Sequence, residues 1–249
     1  MIHLPWPRAC PCGVVHRLEV ERDLAHQLRP YDGMLVANTL KNLMLGSVAT
    51  ASATNPDFGS LHTAYSTTGA NEVTGGSPAY ARVALTWSSP SSGETHLVAT
   101  LPSWNVPTGT TVGWWGGFDA STAGNFLFMQ ALGGQSYKPA SVETATDLTN
   151  NDIFSDAHGY VADNRVVFWS ASGIALPTGL TTGTIYWVIS TGLATDSFRV
   201  STTQGGSAVD ITTDAPTAFF VQRCTPQTTV TQDIISLSSG SFDLGALGL

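Results

Sequence analysis

The stretch Leu61 to Trp87, LHTAYSTTGANEVTGGSPAYARVALTW, decides the fold class. Its second half alternates: Ala81, Val83, Leu85 and Trp87 fall on one face, and Tyr80, Arg82 and Thr86 on the other. Period-2 alternation marks a strand with one face on a core and one toward solvent. Between this strand and the one starting at Leu61 runs a connector rich in Gly, Ser and Thr, which reads as a long loop rather than a helix. Within that loop, Asn71 and Glu72 are the two groups able to make strong polar contacts, and they are expected to pin it or to meet a neighbouring subunit.

Strand signals continue downstream. Residues 95–101 place Leu97, Ala99 and Leu101 inward and His96 and Thr100 outward. In TVGWWGGF (111–118), Val112, Trp114 and Phe118 share a face, with Trp115 on the other between glycines that leave room for a neighbouring backbone or ring. NFLFMQAL (125–132) is apolar on both faces, as in a strand between two layers or at a subunit contact.

Composition agrees with a β protein. Only 11% of the 249 residues are charged, Ser and Thr together number 56, and there are 25 Gly and 7 Trp. Such a mixture suits short strands joined by uncharged turns, and a 42% hydrophobic content excludes a disordered chain. The formal charge of −8, with two lysines, argues against nucleic-acid binding. No apolar run is long enough for a transmembrane helix, and Pro5, Pro7, Cys10, Pro11 and Cys12 interrupt any signal-peptide core. An odd set of three cysteines predicts no structural disulfides.

The wording of the central segment is similar to a family of small tail-fibre or minor tail proteins of tailed bacteriophages. The resemblance rests on Lys41-Asn42, the LHTA strand, TTGANEVTGG, PAYAR, Val106-Pro107-Thr108-Gly109-Thr110-Thr111, and the run from Trp114 through Leu127, in that order, over roughly residues 34–132. It implies a structural virion protein without catalysis or cofactor, assembled in the host cytoplasm and released by lysis. Its implied partners are other virion proteins and copies of itself, a trimer among the arrangements. A capsid decoration (head fibre) protein and a receptor- or glycan-binding adhesion module stand as alternatives.

Five segments follow. Residues 1–33 differ in character from the rest, with 8 charges and two of the cysteines, and are either an N-terminal arm or an over-extended gene start with Met34 as the initiator. Residues 34–140 are expected as a β-sandwich, jelly-roll-like, opened by a short helix over 34–45 with Val36, Leu40, Leu43 and Met44 on one face. Residues 141–158 read as a linker. Residues 159–223 form a smaller β module, similar to one repeated in phage tail and fibre proteins, with strands at 165–169, 184–190, 197–201, 208–212 and 218–223. Residues 224–249 return to apolar character and are expected to complete the first domain, which would make the module an insertion.

Catalytic and metal signals are weak. Cys10, Cys12, His16 and His26 lack zinc-ligand spacing. The oxygen-rich Asp147, Asn150, Asn151, Asp152 and Asp156 have Asp152 and His158 where an EF-hand loop needs its glycine and bidentate glutamate, and they read as turn residues. No G-x-S-x-G, G-x-G-x-x-G or Walker A motif occurs, and no carboxylate pair stands out. Trp104 and Trp115 are the tryptophans expected to be best exposed, for a subunit contact or a glycan.

Overall fold

A computed structural model describes residues 56–92, 94–98, 101–133, 137–142, 145–170 and 175–243. The expected arm and the helix over 34–45 lie outside these residues. The described residues are nearly all β, with sixteen strands and a single short helix.

The opening stretch supplies the end of one inner strand and the whole of one edge strand of an antiparallel four-stranded sheet. Its strands are β1 (Phe58–His62), β2 (Val83–Ala84), β6 (Trp114–Phe118) and β7 (Phe126–Ala131), in the order β2-β1-β6-β7. Of the expected alternation, Leu85 and Trp87 are buried and Thr86 is exposed, whereas Ala81, expected inward, is exposed and Tyr80 and Arg82, expected outward, are half-buried. Gly117 is required by close approach, since a Cβ there would sit 2.1 Å from Cε1 of Phe128 on the neighbouring strand.

Three ribbons extend this sheet, and each takes its second strand from the C-terminal segment. β3 (Glu94–His96) pairs with β16 (Ser241–Asp243), β4 (Ser103–Val106) with β15 (Asp233–Ser236), and β5 (Thr111–Val112) with β14 (Gln227–Thr228). A core of Leu61, Val73, Leu85, Trp87, Leu97, Trp104, Val106, Val112, Trp115 and Leu132 lies beneath them, with Ile235 and Leu237 of the returning segment packed against it.

Between β7 and β14 the chain builds a closed barrel from β8 (Lys138–Val142), β9 (Ile153–Phe154), β10 (Arg165–Trp169), β11 (Tyr186–Ile189), β12 (Ser197–Ser201) and β13 (Ala215–Cys224), in the order β10-β11-β12-β9-β8-β13. Closure is the pairing of β10 with β13, from Arg165↔Cys224 to Trp169↔Phe220. Phe168, Phe198 and Phe219 fill the interior, with Val142, Ile153, Val166, Val188, Val200 and Val221 around them.

Two differences from the sequence reading have clear causes. Residues 141–158, expected as a linker, supply the end of β8, helix α1 (Ala145–Asn150) and β9. Their inward residues, Val142 and Ile153, are fully buried, but the strands are too short for alternation to show among the surrounding polar residues. Residues 208–212 are not a strand. Ile211 is buried, yet its N–H donates to Asn151 Oδ1 at 2.7 Å instead of joining a ladder. The described strands group into a four-stranded sheet, three two-stranded ribbons and a closed six-stranded barrel.

Sheet and barrel meet at a third cluster of Trp114, Ala131, Val167 and Cys224, flanked by Tyr65, Met129, Trp169 and Ile185. Tyr65, Trp114 and Trp169 pack mutually at centroid distances of 5.1 to 5.8 Å. Burial pushes the Cys224 thiol up to about 12, so it behaves as an apolar side chain.

Removing residues 226–249 takes from β3, β4 and β5 the strands they pair with. Hydrogen exchange on the truncated chain is expected to show lost protection over residues 103–112 with protection retained over residues 165–201. Unchanged protection of residues 103–112 would show that the return is dispensable.

Candidate functional site

The loop after β1 is held by an arrangement centred on Arg82. Glu72 accepts from Arg82 Nε at 2.9 and 3.1 Å and from Nη2 at 2.7 Å. Arg82 Nη1 donates to the carbonyls of Ala120 (3.1 Å) and Ala123 (2.6 Å) in the turn joining β6 to β7. Its Cζ lies 3.3 Å from the centroid of the Phe118 ring. Side-chain exposures of 11% and 19% for Arg82 and Glu72 put the pair in an environment where charge-assisted bonds are strong and loss of one partner is costly.

Tyr80 completes the anchor. Its hydroxyl accepts from the Leu61 N–H at 2.7 Å and donates to Glu72 Oε1 at 3.3 Å. Burial raises its pKa far above the usual phenol range, so it stays protonated as that donor.

His62, on β1, is fully buried. Its Nδ1 lies 2.9 Å from the Ala70 carbonyl, which can only accept, so Nδ1 carries the proton and Nε2 accepts from Ser60 Oγ at 2.8 Å. Its ring stacks with that of Phe118 at a centroid distance of 6.2 Å. Burial lowers its pKa, with the Arg82 charge acting the same way, while the Ala70 bond and the Glu72 charge act against them. Ser60 and His62 have the side chains of a nucleophile and base, but both are 0% exposed. No substrate reaches them, and the orienting partner of His62 is a carbonyl instead of a carboxylate.

The loop itself is shaped locally. Ser66 Oγ accepts from the N–H groups of Thr68 and Ala70, both at 3.0 Å. Asn71 sits at φ 63°, a conformation that asparagine tolerates. Further along, Gln232 of the C-terminal segment accepts from the Ser77 N–H (2.7 Å) and donates to the Pro78 carbonyl (2.9 Å).

Of the four residues singled out from sequence, Glu72 fastens the loop through its carboxylate. Asn71 does so through its backbone, its carbonyl accepting from the Thr63 N–H at 3.0 Å while its side chain is exposed. Trp104 and Trp115 are not exposed rings. They are 1% and 4% exposed, Trp104 Nε1 donates to the Gly59 carbonyl at 3.0 Å, and Trp115 packs edge-to-face on Phe128 at 4.9 Å. Strand alternation put Trp115 on the face opposite Val112, Trp114 and Phe118, and the C-terminal return covers that face. Tyr80 and Arg82 were read only as outward-facing strand residues, and His62 was not singled out. One signal was present for Arg82: opposite charges bracket a loop in a chain with few charges.

The oxygen-rich stretch is engaged within the barrel. Asp152 pairs with Arg199 at 2.6 Å, and Asn151 Oδ1 takes the Ile211 N–H. Buried His158 accepts the Tyr160 N–H through Nδ1 at 2.8 Å. Among the described residues no group of three or more His, Cys, Asp or Glu side chains could hold a metal ion.

Two measurements probe the anchor. Glu72→Ala leaves Arg82 partly buried without its counter-charge and is expected to cost roughly 3 kcal/mol in urea unfolding. A double-mutant cycle with Arg82→Ala should return a coupling of about 1 kcal/mol or more, and additive losses would remove the pair from the account. For His62, a folded pKa below the ordinary 6.5 means that the unfolded chain takes up a proton the folded chain refuses. Its contribution is fully present above pH 6.5 and is lost as pH falls through the folded value. His62→Gln should therefore flatten the fall in stability just below pH 6.5, and a slope equal to wild type would show that His62 does not titrate in this way.

No curated protein and no solved structure matches the chain. Among the described residues no helix is long and apolar enough to cross a membrane. Residues 34–155, a little under half of the chain, match the model of a family described as podophage GP4 fiber I protein gp80, and this match supports a phage fibre protein family for the segment that carries the anchor.

Proposed function

We propose that this chain is a structural component of the fibre of a tailed-phage virion, a tail-fibre or minor tail protein that works by assembly and assigns itself no catalytic step. The observation that carries the reading is the edge strand β7. It pairs with β6 alone among the described strands, and it is apolar on both faces. Phe126, Phe128 and Met129 are half-buried and Leu127 is 38% exposed. An edge of this kind offers unpaired backbone groups and apolar surface to another chain. The turn at its start is fixed by Arg82 and by Asp119, whose carboxylate accepts from the Asn125 backbone and side-chain N–H groups at 2.6 and 2.7 Å. The edge is therefore presented as a rigid surface, which lowers the ordering cost of docking.

The occupant proposed for the β7 edge is a second copy of the chain. Light scattering after size exclusion is expected to show an oligomer of wild type, and Leu127→Lys is expected to shift it toward monomer while its melting temperature stays within a few degrees of wild type. A chain that is monomeric at every concentration, and whose Leu127→Lys variant still enters virions normally, would overturn the reading.

A further inference from the structure

Where the C-terminal return passes the end of β7, a cleft of about 400 Å³ opens between sheet and barrel. This lies within the usual size range of small-molecule sites, about 300–1,000 Å³. Trp115 and Leu132 contribute to its apolar floor. Its walls carry Gln130 from β7, Gln227 from β14, and Ser236, Ser238, Ser239 and Ser241 of the return. No lining residue is charged. The neighbouring cleft across Ser238 to Ser241 has Glu94 and His96 on its wall, so neutrality belongs to the first cleft and not to the whole region.

Much of the hydrogen-bonding capacity of Gln130, Gln227 and the serines is unspent. Among the described residues, the side chains of Gln130, Ser236, Ser238, Ser239 and Ser241 make no hydrogen bond, and all are at least partly exposed. Gln227 uses one N–H on the Thr225 carbonyl at 3.2 Å and keeps its amide oxygen. These groups decide what the cleft can take. An ion placed here finds no counter-charge. A purely apolar molecule strands the amides and hydroxyls it covers. A ligand with several neutral hydroxyls and a small apolar patch satisfies both the walls and the floor.

We propose that this cleft binds a neutral saccharide through Gln130, Gln227 and the serines of the return, with the edge of Trp115 meeting its C–H surface. The recognition is by hydrogen bonds and not by ring stacking, because Trp115 is only 4% exposed. The proposal goes beyond assembly and does not depend on the oligomeric state.

The test is saturation-transfer NMR on the full chain with neutral probes (glucose, galactose, N-acetylglucosamine and β-linked disaccharides of each) and with two charged ones, N-acetylneuraminic acid and glucose 6-phosphate. Transfer to at least one neutral probe and to neither charged probe is expected. Gln130→Ala combined with Gln227→Ala should weaken it about tenfold or more. Ser239→Leu, which fills the cleft from a different wall, should do the same, with circular dichroism confirming that both variants fold. No transfer to any neutral probe overturns the proposal. So does equal transfer to the charged probes, or binding indifferent to both variants. Repeating the titration on Leu127→Lys separates this outcome from the assembly reading, since saccharide binding is expected to survive there.

Discussion

The arrangement at the end of the sheet follows from satisfying one partly buried guanidinium. Arg82 cannot give up its charge, so each N–H direction and the ring face must find a partner. Nε and Nη2 take the Glu72 carboxylate, Nη1 takes two turn carbonyls, and the flat face rests on Phe118. Those partners lie on the loop after β1 and on the turn between β6 and β7. One side chain therefore fixes two loops against one strand end. His62 also stacks with the Phe118 ring and donates to the loop carbonyl of Ala70. The buried polar groups of the quoted stretch, His62 as the partner of Ser60 Oγ among them, are bonded within the sheet and its loop.

A second constraint concerns chain order. The sheet needs strands from residues 227–243 to pair with strands near residues 94–112, across the whole barrel. Loop closure over such a separation is entropically costly when the intervening chain is disordered. The barrel removes most of that cost, because its first and last strands pair with each other, Ala140 opposite Phe219 and Lys138 opposite Val221. Its two ends emerge side by side, and the Thr225 N–H donates to the Leu132 carbonyl at 2.7 Å. Once the barrel has closed, the sheet sees a tight connection in place of ninety-odd residues. Insertions with adjacent ends are tolerated for the same reason.

Individual elements show what the sequence could and could not reveal. SFRVS was legible as a strand because alternation survives in it, with Phe198 and Val200 buried between half-buried Ser197 and Arg199, and RVVFW because it is a short run of β-branched and aromatic residues; they are β12 and β10 without a shift of boundary. Residues 141–158 were not, since two-residue strands give alternation no length over which to appear. Trp104 and Trp115 were misjudged because what covers them is distant in sequence: Ile235 of the return packs over the same core and pairs with Trp104. In the site, Glu72 was legible as a polar group in a polar loop. Its partner was not, because a cross-sheet ion pair has no fixed spacing as a helical pair does.

These points bear on the cleft. Gln130 and Leu132 precede the barrel, Gln222 and Thr225 end it, Gln227 follows it, and the serines belong to the return. The walls are thus brought together by the insertion point itself. Any change that alters how β13 leaves the barrel moves Gln222 and Thr225 relative to Gln130, although none of these residues touches the barrel interior. Among the described residues the ion pairs lie elsewhere, in Glu72–Arg82 and Asp152–Arg199. What remains at the seam is amide, hydroxyl and apolar surface, whose selectivity rests on shape and the number of hydrogen bonds met. Contacts of that kind are little affected by salt, whereas recognition built on exposed charge weakens as ions screen it.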